Sequence, residues 1–221
     1  VWITCQTFGG AATGRISANG GTGANQGFGG AGGRIAILYS PGAQSNAPVS
    51  SVVVSSSGGT GGPSGERGQD RTLYVPDALL LKDTLTDVIR NVRVLGFSAW
   101  SPASLTISGA NIGFETPNFT LAVTNGSLLL TNSASLYIVP GPTNAVWTNC
   151  GALVSVTGDV SVATNCWMFP SSEASSGASV IFRMANLSVA SNAGFNADYK
   201  GYPGGLSGSP YYGYGPGGGV T

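Results

Sequence analysis

Val160-Ser161-Val162-Ala163-Thr164-Asn165-Cys166 and Leu187-Ser188-Val189-Ala190-Ser191-Asn192-Ala193 match position by position, 27 residues apart. Each begins with apolar-Ser-apolar alternation, the two-residue period of a half-buried strand, and ends in small residues and an asparagine suited to a turn. Leu128-Leu129-Leu130-Thr131-Asn132-Ser133-Ala134 is a weaker third copy. The same alternation runs through 104–107, 120–123 and 135–138, with turn pairs such as Asn125-Gly126 and Gly158-Asp159 between the runs. Strand–turn–strand copies in fixed order and variable period predict an all-β parallel solenoid. In such a fold each turn of chain stacks on the last, so apolar positions form internal columns. Leu105, Ile107, Leu121, Val123, Leu136, Ile138, Val160, Val162, Leu187 and Val189 are the expected inward positions. Asn132, Asn165 and Asn192 are candidates for a hydrogen-bonded ladder, or else ordinary turn asparagines. An antiparallel sandwich is the competing architecture, because short strands and glycine turns suit it too.

Composition agrees with strands and narrows function. The chain has 221 residues, 42% hydrophobic, so a core can be buried and one solenoid domain over 1–221 is expected. Charged residues are only 8%, against a usual figure of about 25%. Nine Lys+Arg balance nine Asp+Glu for a net charge of +0, which excludes a basic nucleic-acid surface and removes repulsion between copies. With 0 histidines there is no Ser-His-Asp or Cys-His machinery and no His-ligated metal. No run approaches the roughly 18 apolar residues of a membrane span. No cofactor motif occurs; the glycine stretches lack the Lys and Ser/Thr of a phosphate-binding loop, and the Asp spacing fits neither common calcium-loop pattern.

Glycine-rich loops are expected near 20–33, 55–69 and 201–219. Two of them follow similar turns: Gly14-Arg15-Ile16-Ser17-Ala18-Asn19 is echoed by Gly194-Phe195-Asn196-Ala197-Asp198. Helices are disfavoured almost everywhere by Gly, Ser, Thr, Asn and β-branched residues. The exception is 77–92, where Leu81, Leu85, Val88 or Ile89 and Val92 fall at helical spacing behind Pro76-Asp77, yet the stretch also reads as two strands. The surrounding β pattern favours strands.

A family resemblance rests on Val1-Trp2-Ile3-Thr4, Ile16-Ser17-Ala18-Asn19-Gly20-Gly21 and Gly32-Gly33-Arg34-Ile35-Ala36-Ile37, in that order. This resembles the glycine-rich β-helical repeats of very large bacterial surface and secreted proteins. It covers residues 1–40 well and 104–200 only as solenoid pattern. The resemblance implies an extracellular, right-handed β-helix and brings no catalytic residue with it.

Few residues offer chemistry. Ten of the charged residues lie between Glu66 and Arg93, a pattern read either as a carboxylate-bearing groove for polysaccharide or as solvated ion pairs. Cys150 and Cys166 are spaced for a disulfide between adjacent turns or for two buried thiols, with Cys5 left over. Tyr199, Tyr202, Tyr211, Tyr212 and Tyr214 sit among Gly and Pro, suited to stacking on sugars, meeting a partner, or packing on the solenoid flank. The chain opens inside an apolar, strand-forming stretch and closes Gly217-Gly218-Gly219-Val220-Thr221, as a processed product or a segment of something longer would. Val1, Trp2, Ile3, Thr4 and Cys5 are therefore the expected contact with Gly218, Gly219, Val220 and Thr221 of another copy. The expected function is a structural, non-enzymatic subunit of an extracellular filament built by end-to-end self-association. The alternative is a carbohydrate-binding or carbohydrate-cleaving β-helix whose partners are surface glycans.

Overall fold

A computed structural model describes residues 1–86, 89–143, 150–173, 175–198 and 200–201. The strands form a stack of irregular coils, and every strand pairing is parallel. The first sheet runs the length of the stack. Its eight strands are β1 (Trp2–Thr4), β3 (Ile35–Leu38), β5 (Arg71–Tyr74), β8 (Val92–Leu95), β11 (Asn111–Phe114), β14 (Ser135–Ile138), β17 (Trp167–Pro170) and β20 (Gly194–Phe195). The second sheet holds β6 (Thr84–Leu85), β10 (Leu105–Ser108), β13 (Leu128–Thr131), β16 (Val160–Val162) and β19 (Leu187–Val189). The third holds β9 (Ala99–Trp100), β12 (Thr120–Val123), β15 (Ala152–Val156) and β18 (Val180–Arg183). Nearer the N-terminus a fourth sheet, of β2 (Arg15–Ser17), β4 (Val53–Ser55) and β7 (Ile89–Arg90), precedes the first. The parallel solenoid is therefore the fold, and the antiparallel sandwich is not.

The register turns sequence alternation into columns. Val92, Ile112, Leu136, Met168 and Phe195 stack in one; Leu105, Leu128, Val160 and Leu187 in a second; Leu85, Ile107, Leu130, Val162 and Val189 in a third. All are buried except the members on the last coil. Where the third sheet approaches the first, Phe114 and Phe119 stack at 4.4 Å between centroids. Strands of two to five residues suffice because each coil borrows its core from the coils on either side. Stretch 77–92 carries β6, β7 and the start of β8 rather than a long helix. The apolar spacing that mimics a helix there instead places Leu85, Ile89 and Val92 in three different sheets. The helix α1 (Pro41–Gln44) is a single turn.

Coils differ in length because loops leave at particular corners. Trp2 stacks on Ala36, whereas Val92 stacks on Ile112 with far less chain between. The glycine segments 20–33 and 56–70, which leave after β2 and β4, form two layers of a narrow blade. Within the first, Gly30 N–H donates to Gly21 O at 2.8 Å and Gly33 N–H to Ala18 O at 2.6 Å. Between layers, Gly20, Gly23, Gly29 and Gly32 N–H donate to the carbonyls of Ser57, Thr60, Glu66 and Gln69 at 2.8–3.0 Å. In return Gly59 and Gly62 N–H donate to Gly30 and Gly27 O at 2.8 and 2.9 Å. Donors three residues apart are the signature of three-residue-per-turn extended helices, which lack internal hydrogen bonds and must pair laterally. Glycine is required because segments meet backbone to backbone: a Cβ on Gly58 would lie 1.7 Å from Gly68 O, and one on Gly62 1.7 Å from Asn25 O.

Candidate functional site

Three surfaces stand out: the two ends of the stack and the outer face of the first sheet. At the N-terminal end β1 pairs with β3 on one side only. Strand alternation turns Ile3 toward the core, leaving Trp2 74% exposed and Val1 59%. Trp2, Ala36, Tyr74 and Leu95 form one outward column. The small Ala36 between two aromatic side chains leaves a groove of about 630 Å³, also lined by Val1 and Arg34. Cys5 continues β1 and offers its thiol to Leu38 O at 3.7 Å.

At the other end the core columns stop. Leu187 is 49% exposed, Val189 45% and Phe195 36%, although Val160, Val162 and Met168 directly beneath them are buried. Leu187 and Val189 keep the inward register expected of them, but in the last coil no further coil among the described residues covers them. Gly218, Gly219, Val220 and Thr221, and the tyrosines Tyr199, Tyr202, Tyr211, Tyr212 and Tyr214, lie outside the described residues, as does the third glycine-rich segment beyond Gly201.

The expected Cys150–Cys166 disulfide is not formed; Cys5, Cys150 and Cys166 are all free thiols. Cys166 is buried just before β17, and the half-buried Cys150 lies just before β15. They occupy opposite ends of one solenoid face, and a four-residue face is about 13 Å long, beyond the roughly 4.4–6.8 Å between Cα atoms that a disulfide spans. A spacing that looks like adjacent turns is here most of one turn.

The charge cluster gathers on the outer face of the first sheet, in a trough of about 400 Å³ lined by Arg67, Asp70, Arg71, Arg93, Glu115 and Lys200, among others. Asp70 pairs with Arg67 at 2.6 Å and also accepts Gly58 N–H at 2.9 Å. Arg93 reaches Glu115 at 3.7 Å and lies 3.6 Å above the Tyr137 ring. Gly113 between them makes this contact possible, since a Cβ there would lie 2.5 Å from the Arg93 guanidinium. Phe169 stacks on the other face of Tyr137 at 4.5 Å. Both faces of that ring are therefore occupied, and it has none left for a sugar. Arg71 and Lys200 pair with no carboxylate among the described residues. Among those residues, no cluster of three potential metal ligands occurs, and no helix is long and apolar enough to cross a membrane. No family model, curated protein or solved structure matches the chain.

The glycine blade is the feature that sequence reading passed over. Its signal was present: Gly20-Gly21-Thr22, Gly23-Ala24-Asn25, Gln26-Gly27-Phe28 and Gly29-Gly30-Ala31 are triplets with the larger residue third. Gly58-Gly59-Thr60, Gly61-Gly62-Pro63 and Ser64-Gly65-Glu66 repeat the format.

Proposed function

We propose that this chain is a structural segment of an extracellular filament, fibre or stalk, lengthened by stacking solenoid on solenoid. One observation carries the reading: the last coil ends in open core columns. Leu187, Val189 and Phe195 sit in register over buried residues, with about half or a third of their surfaces in water. Open apolar columns and unpaired strand edges attract further strands unless charge or a cap opposes them. The chain carries +0 net charge, and neither β1 nor β19 includes a charged residue. Placement outside the cell follows the resemblance of residues 1–40 to bacterial surface and secreted repeats.

Sedimentation velocity over a concentration series tests the association. Wild-type chain is expected to form a ladder of oligomers, and the Leu187→Lys/Val189→Lys double variant to remain a folded monomer. Equal association of the two would contradict stacking through this end. A second reading, binding of an anionic polysaccharide, is favoured by the trough, where Arg71 and Lys200 add positive charge that no carboxylate among the described residues pairs with. Retardation in a polyuronate-containing gel that disappears in an Arg71→Ala/Lys200→Ala variant would support it; identical mobility would remove it.

A further inference from the structure

We infer that the exposed face of the first glycine layer, residues 19–31, is a docking surface for the glycine segment 201–219 of a second copy. The inference rests on the end-to-end stacking proposed above and names the contact that gives it direction.

The two layers are related by register, and their exposed faces are not equivalent. In the second layer Gly59 turns toward the first: a Cβ there would lie 2.0 Å from Gly21 O. Gly21 holds the corresponding place in the first layer, yet a Cβ on it meets nothing within 4 Å. Gly68 and Gly30 are a similar pair, with nearest contacts of 2.1 Å and 3.2 Å. The first layer thus presents a surface shaped like the one the second layer packs against, with none of the described residues on it. Its hydrogen-bonding groups are vacant in the same pattern. The second layer accepts from the first through the Ser57, Thr60, Glu66 and Gln69 carbonyls. The matching carbonyls of the first, on Asn19, Thr22, Phe28 and Ala31, accept no hydrogen bond among the described residues, and the N–H groups of Gly21 and Ala24 donate none. The second layer is finished differently: Asp70 takes the Gly58 N–H at 2.9 Å and is neutralised by Arg67. Growth is therefore open on the N-terminal side.

The occupant is written in the chain. Residues 204–209 read Gly-Gly-Leu-Ser-Gly-Ser, against Gly-Gly-Pro-Ser-Gly-Glu at 61–66, where the second layer turns back through Gly65 N–H to Gly62 O. Segment 201–219 follows the echo of the turn that precedes the first layer, and it carries no charge to oppose backbone packing. The described chain leads into it from β20, the last strand of the first sheet, and in the proposed stack that end of one copy meets the N-terminal end of the next. Ala24 limits the contact. It stands where the second layer has Gly62, so its methyl holds an incoming segment away from the tip and leaves docking to the base.

The test is titration of the uniformly ¹⁵N-labelled full chain with a synthetic peptide of residues 201–219, followed by amide shifts. Shifts are expected at Gly21, Thr22, Ala24 and Ala31. Gly21→Val should weaken binding about tenfold or more while leaving thermal stability unchanged, because its side chain enters open space in the lone chain. Gly42→Val, also unobstructed but on α1, should bind as wild type does. Ala24→Gly should bind more tightly. Absence of shifts at millimolar peptide, shifts centred elsewhere, or binding that survives Gly21→Val would overturn the inference. Sedimentation of the same samples separates the two readings. Oligomers without peptide binding leave column stacking standing and remove the blade contact; peptide binding without oligomers does the reverse.

Discussion

At the residue scale the corners are held by single polar side chains. Asn91, Asn165 and Asn192 adopt left-handed backbone between the strands before the first sheet and that sheet, with φ of 53°, 62° and 51°. Asparagine tolerates this region better than other non-glycine residues. Asn192 Nδ2 donates to Asn165 Oδ1 at 2.5 Å, so the expected ladder exists for that pair. Asn132 leaves it: Ser133 takes the register of Asn165, and Asn132 Nδ2 turns to Ser108 Oγ at 2.8 Å. The heptads already carry this offset: aligned strand to strand, Asn132 stands opposite Thr164 and Ser133 opposite Asn165. Alternation was the legible signal, and it placed Val162 correctly, 1% exposed between Leu130 and Val189. Val162→Asp puts an unpaired charge there at a cost of several kcal/mol; loss of the cooperative unfolding transition is expected, and a folded variant would refute the register. Contacts between distant polar residues were not legible. Gln44, on α1, clamps Phe8 by accepting its N–H at 2.7 Å and donating to its carbonyl at 3.2 Å. Tyr39 donates to Asp77 Oδ1. Burial, then the hydrogen bond and charge of Asp77, raise the Tyr39 pKa well above its usual 10. The neutral phenol is the folded form, so its contribution is intact below pH about 10 and is lost as pH rises past that value. Urea midpoints across this range should fall more steeply for wild type than for Tyr39→Phe.

At the element scale the glycine blade and the strands obey different rules. Strands are specified by alternation, which any reader of period two finds. The blade is specified by a period of three in small residues, which looks like low complexity until the hydrogen bonds are drawn. The two layers also depend on glycine unequally. Gly59→Val must push apart two layers whose backbones touch, and it should remove the blade's amide protection in hydrogen exchange along with some global stability. Gly21→Val should alter neither. Equal protection in both variants would show that the layers do not pack as described. The outer ladder of Arg93, Tyr137 and Phe169 likewise hangs on one missing Cβ: Gly113→Val should displace the guanidinium from the Tyr137 ring, read as loss of the upfield shift of the Arg93 side-chain protons. The free cysteines mark the limit of spacing arguments. Coil length here varies with loop insertions, so 16 residues between thiols did not identify neighbours.

At the scale of the whole molecule, most of the architecture was legible because a solenoid repeats its evidence in every coil. Its ends were not, because the same apolar residue is buried or exposed depending only on whether another coil follows. Leu187 and Val189 show this, sharing their pattern with Val160 and Val162 but not their burial. In the proposed stack, eight strands in the long sheet at about 4.8 Å each would set an axial advance of about 38 Å per chain. End-to-end stacking of these coils is tested most directly by cryo-electron microscopy of the wild-type chain at high concentration. Unbranched filaments with an axial repeat of about 38 Å per chain are expected, β1 of one copy lying parallel to the last strand of the first sheet in the next. Dispersed single particles about one chain long, or filaments joined side by side through the first sheet's outer face, would contradict it.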